Sequence, residues 1–165
     1  GLLDDFNVWG NVYAAIGDLA AYDYQKSSNK WRFVDSLLAE VSDRWSINAS
    51  LVYQLSDNGA PSMSKSEYYN VGLIPVYKLT DNVQILTMLG TSAVDSEGSD
   101  VQRLGRGLVG MQLTPDKGFW SRPVIRYYYG KAWWNNANKG IIDSSGPYRD
   151  DLSGSMYGIQ GEVWF

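Results

Sequence analysis

Three observations predict an all-β fold, the wall of a transmembrane antiparallel β-barrel with about eight strands in this chain. Apolar and polar residues alternate with period two over stretches of ten or more residues. The connections between these stretches are tight and long in strict succession. Aromatic residues make up 14% of the chain, and 12 Tyr and 7 Trp far outnumber 4 Phe, so the surplus lies in rings with a polar edge that favours a wet boundary.

The first strand is placed over residues 8–24 and the second over residues 31–41. Both alternate less cleanly than the rest, with Asp18 and Asp35 on the greasier face. From Trp45 to Leu55 the pattern is clearest: Trp45, Ile47, Ala49, Leu51, Tyr53 and Leu55 alternate with Ser46, Asn48, Ser50 and Gln54. Glu67 to Leu79 repeats it with Tyr69, Val71, Leu73, Pro75 and Tyr77 on one face, and Val83 to Ala93 follows. Further strands are expected over residues 101–113, 120–134 and 154–165. Pro75 and Pro123 sit awkwardly in this scheme, because each removes a ladder donor. Compact turns rich in Asp, Asn and Gly are expected at residues 42–44, 79–82 and 114–118, with longer polar loops at 56–65, 95–100 and 135–152. Outer-membrane barrels show this rhythm, with short turns on the periplasmic side and long loops outside. Helices are excluded by recurrence at i, i+2 and i+4 and by glycines in nearly every segment.

Composition narrows the function. With 44% hydrophobic residues in 165, the chain can bury a core or coat a membrane face. A mean hydropathy of −0.29 with no long apolar run excludes membrane-spanning helices, whereas a barrel greasy on one face has such an average. The net charge of −4 comes from scattered residues and leaves no footprint for nucleic acid. Without Cys or His, disulfides, thiolate and imidazole ligands and most catalytic templates are closed, so neither an enzyme nor a cofactor is expected. The acidic run from Asp95 to Asp100 lacks calcium-loop spacing and reads, like Asp150-Asp151, as solvated loop charge, so no metal site is assigned. The start, Gly1-Leu2-Leu3-Asp4-Asp5, has neither the basic nor the apolar region of a signal peptide and reads as a fragment boundary. Residues 1–165 are read as one barrel segment without a second domain.

In the final segment Val163, Ile159 and Tyr157 share the face of Phe165, while Trp164, Glu162 and Gln160 occupy the other. A terminal aromatic behind alternating apolar residues resembles the signal read by the outer-membrane barrel-assembly machinery. The run Phe119-Trp120-Ser121-Arg122-Pro123, its continuation through Tyr127-Tyr128-Tyr129 to Trp133-Trp134-Asn135, and the ending Gly158 to Phe165 together resemble the C-terminal part of the maltoporin family. The likeness is most specific over the last 45 or so residues and architectural before them. It implies a bacterial outer-membrane channel for sugars, a homotrimer of eighteen-stranded barrels, of which about ten N-terminal strands lie outside this chain. It also carries over two sugar-stacking aromatics, Trp120, two residues before the Arg-Pro pair, and the penultimate Trp164.

Parity agrees with that transfer, since Trp120, Arg122, Arg126 and Tyr128 would line one face of a continuous strand and Trp164 opposes Phe165. A sugar presents an apolar C–H face and a hydroxyl rim, so aromatic surfaces can guide the first while charged and amide groups exchange hydrogen bonds with the second. Arg122, Arg126, Gln160 and Glu162 are the candidates for this polar track. The alternative is that the arginines pair with acids across the wall and set pore charge. Trp31, Trp45, Tyr53, Tyr69, Tyr77, Tyr127, Tyr129 and Trp133 are read as interfacial girdles against outer-membrane lipid.

A different reading is a complete eight-stranded barrel acting as anchor, adhesin or lipid-modifying enzyme, against which stand the missing His and even-numbered faces rich in Gly, Ser and Asn with few interlocking charges. A soluble β-sandwich would instead pack the odd-numbered stripes against a second sheet. The long loops are candidate sites for phage attachment. No residue identifies the sugar.

Overall fold

Period-two sequences form strands because each residue then places its side chain on the face opposite its neighbour's. The computed structural model describes residues 28–62 and 65–163. Within them lie seven strands: β1 (Asn29–Ser42), β2 (Trp45–Asp57), β3 (Lys65–Lys78), β4 (Val83–Ser96), β5 (Gln102–Leu113), β6 (Val124–Trp134) and β7 (Ser153–Glu162). They form one antiparallel sheet in chain order, β1 through β7. The expected strand over residues 8–24 lies outside the described residues. Each strand has 10 to 14 residues, enough for a tilted crossing of a bilayer, which takes about 9–11. The sheet is not closed among the described residues, for β1 and β7 are its two edges.

Every register pairs odd residues with odd and even with even, except at a bulge between Glu40 and Ser42. One row of the even face therefore runs Lys78, Gln84, Gln112, Arg126, Gln160 across β3 to β7. The odd face exposes Trp31, Phe33, Leu37, Trp45, Tyr69, Tyr127, Tyr129 and Trp133. The sequence-derived stripe is thus continuous from strand to strand. On it Trp31 meets Tyr53 edge to face at 6.2 Å and Trp45 meets Tyr77 at 4.9 Å. Asp35 shares that face, paired with Leu51.

Both prolines find an accommodation. Pro123 precedes β6 and removes nothing from its ladder. Pro75 lies within β3, and there the pairing with β4 lapses between Leu73–Leu89 and Val76–Leu86 although the register resumes unchanged.

The even face departs from the expected Gly-, Ser- and Asn-rich wall. Ile74, Val76, Leu86, Met88 and Leu108 form an apolar cluster on it, and it carries interlocking charges as well. Two connecting segments fold over parts of this face. The sheet has a turn end, with connections at 43–44, 79–82 and 114–123, and a loop end, with connections at 58–64, 97–101 and 135–152. The third turn-end connection is longer than the compact turn expected at 114–118, since β6 starts at Val124 rather than at residue 120.

Candidate solute-facing site on the inner wall

The turn-end connection of residues 114–123 is folded by local polar groups. Asp116 Oδ1 accepts from the Gly118 amide at 2.7 Å in an Asx turn, and the Ser121 amide donates to the Gly118 carbonyl at 3.0 Å. From the sheet, Gln84 Nε2 donates to the Asp116 carbonyl at 3.3 Å, and Asn82 Nδ2 donates to the Pro115 carbonyl at 2.8 Å. The chain is thereby turned back over the even face, and Phe119 enters the cluster of Ile74, Val76, Leu86, Met88 and Leu108. Phe119 is 7% exposed, and burial of such a ring contributes about 2–3 kcal/mol.

Trp120 follows directly and is 54% exposed, standing edge to face on Phe119 with ring centroids 4.9 Å apart. Its direction does not come from strand alternation, because the residue precedes β6. The parity argument that placed Trp120, Arg122, Arg126 and Tyr128 on one continuous strand therefore holds for Arg126 and Tyr128 alone. Phe119, an odd-numbered residue just ahead of β6, is the one that buries toward the even face. No single-strand pattern could have found it, because its burial depends on three other strands.

The polar candidates converge at the same end. Arg122 Nη2 lies 2.8 Å from Glu162 Oε1, and Arg126 Nη1 lies 2.6 Å from Glu162 Oε2. One carboxylate thus bridges two guanidiniums, all three side chains being largely buried. Arg126 Nε also donates to Gln112 Oε1 at 2.9 Å, and Gln112 Nε2 donates to Gln84 Oε1 at 2.7 Å. The chain of bonds crosses four strands, from β4 to β7, and ends on the 114–123 connection through Gln84. Gln160 stands in register with Arg126, and its Oε1 is buried without a hydrogen-bond partner. A second group lies beside it on β1 to β3, where Glu40 Oε2 accepts from Lys78 Nζ and Ser46 Oγ, each at 2.6 Å.

Arg122, Arg126 and Glu162 are brought together, then, but largely by binding one another. Trp164, with Phe165, lies outside the described residues.

At the loop end, the 135–152 connection is laid over the same face. Ile142 and Tyr148 pack on Leu104 and Trp134, both even-numbered wall residues. Trp134 Nε1 donates to the Asp151 carbonyl at 3.0 Å, and Asn138 Nδ2 to the Arg103 carbonyl at 2.8 Å. The even face thus carries a charged belt and the Phe119 plug at one end, with the exposed Trp120 ring standing on Phe119, and a folded loop at the other. Residues 6–165 match the family model described as LamB porin.

Proposed function

The chain belongs to the LamB porin family, and from that premise we propose that it forms part of the wall of an outer-membrane channel through which sugars and oligosaccharides diffuse. The family is one of channels, not enzymes. The supporting observation is Trp120, whose large ring stays exposed while its neighbour Phe119 is driven into the even-face cluster. A held, solvent-facing indole offers the flat apolar surface on which a pyranose C–H face stacks, and Trp164 joins it by resemblance. Arg122, Arg126, Glu162 and Gln160 act on hydroxyl rims through whatever bonding capacity their mutual contacts leave. Every contact stays weak, because a conducted solute must also leave.

In this reading the odd face meets lipid through its Trp and Tyr residues, the working protein is a homotrimer, and Phe165 addresses the barrel-assembly machinery. Surface loops at 58–64, 97–101 and 135–152 are where phage would attach.

The test is single-channel recording in planar bilayers. Linear oligosaccharide is expected to interrupt ionic current reversibly, and Trp120→Ala to weaken the block about fivefold, the equivalent of one aromatic contact near 1 kcal/mol. Unchanged block after removal of both Trp120 and Trp164 would end the stacking assignment. Chain 1–165 by itself is expected not to conduct, because an open sheet leaves unpaired edges in lipid. Stable conductance from it would overturn the wall-segment reading.

A further inference from the structure

Between the 135–152 loop and the even faces of β4 to β7 lies a cavity of about 530 Å³, well apart from Trp120 at the turn end. That size falls within the range of about 300–1,000 Å³ usual for small-molecule sites. Two tyrosines line it, Tyr128 from the wall and Tyr148 from the loop. Each is seated on a glycine of β7: a Cβ at Gly158 would collide with the Tyr128 ring, and one at Gly154 with the Tyr148 ring. Gly154 and Gly158 are four residues apart on one face, about 13 Å along the strand, with Met156 between them. Tyr148 is further held by its hydroxyl, which donates to the Ser155 carbonyl at 3.0 Å, and by its amide, which donates to Asp143 Oδ2 at 2.8 Å. Arg106, Lys131 and Asp143 are the charged residues of the lining.

We propose that this cavity is a docking subsite for a short oligosaccharide at the loop end of the wall, an inference that rests on the channel reading above. Two ring platforms spaced along a strand match a ligand longer than one sugar. Seating each ring on a glycine removes the side chain that would otherwise hold it off the wall, so the platforms are pre-organised and cost little ordering on binding.

A subsite at one mouth acts on capture from that side. In bilayers holding the full-length channel, Tyr148→Ala is expected to slow association of linear oligosaccharide added on the loop side about fivefold. Association from the turn side is expected to stay within twofold. Ala132→Trp, which fills the cavity from the wall and leaves the loop's own residues unchanged, should reproduce the loop-side loss, and Tyr148→Phe, which keeps the ring, should not. Heat-modified mobility on gels confirms that each variant is folded. If the parent channel shows no sugar block, both the channel reading and this subsite fall. If the parent is blocked normally and neither Tyr148→Ala nor Ala132→Trp slows loop-side association, the subsite alone falls. Faster association with raised conductance in Tyr148→Ala would show the loop to be an obstruction, and would overturn the subsite too.

Discussion

The two ends of the inner wall solve one problem by different means. At each, a connecting segment must lie over the even face with its buried polar groups paired, and only a few, such as Gln160 Oε1 and Asn138 Oδ1, are left without a partner. At the turn end, residues 114–123 are pinned by one aromatic plug, Phe119, and by a belt of side chains running Gln84, Gln112, Arg126, Glu162 and Arg122. At the loop end, residues 135–152 are held by Ile142 and Tyr148 on Leu104 and Trp134, and by bonds from Trp134 and Asn138 to backbone carbonyls. Charge fixes the first and packing with neutral bonds fixes the second. A charged belt is stiff but intolerant, because removing one member strands the others, whereas a packed loop loosens by degrees.

The largest effect that would sharpen this contrast is expected from Glu162→Ala. It leaves two buried guanidiniums without their carboxylate and should lower stability by about 3–5 kcal/mol, read as a fall in the urea midpoint of the folded barrel. A midpoint unchanged within error would mean that water already screens the pair. Phe119→Ala is expected to cost about 3 kcal/mol, and because Trp120 stands on that ring, its fluorescence should shift as well. Trp134→Phe should cost roughly 1–2 kcal/mol through the lost bond to Asp151, with faster hydrogen exchange confined to residues 135–152. Spread of that exchange into β6 and β7 would break the picture of a loop that yields by itself. Smallest is Lys117→Ala, which removes the exposed 2.9 Å pair with Asp81 and should change stability by less than about 0.5 kcal/mol. A larger loss there would show that turn-end charge matters even outside the buried belt.

Most of the architecture was legible in the sequence. The stripe from Trp45 to Leu55 names the faces of β2, with Trp45, Leu51 and Leu55 exposed and Ser46, Asn48 and Gln54 buried, and the strands expected over 83–93 and 101–113 match β4 and β5 to within three residues. Tyr157 and Ile159 point out and Gln160 and Glu162 in, as alternation from Phe165 required. Less of the site was legible. The expectation for Arg122 and Arg126 left two roles open, and the coordinates show both bound to Glu162, a partner 36 residues from Arg126 that no local pattern links to it. Nor did the polar-looking even faces announce the Ile74–Leu108 cluster, which exists because Phe119 covers it.

The sequence by itself determined which side chains share a face, because strand geometry reverses direction at every residue and an antiparallel register carries that parity intact across the sheet. Only the tertiary structure decided where the chain stops obeying parity. At residues 119–123 the gain from burying one ring among three other strands outweighs continuing the ladder, and that balance depends on neighbours distant in the chain.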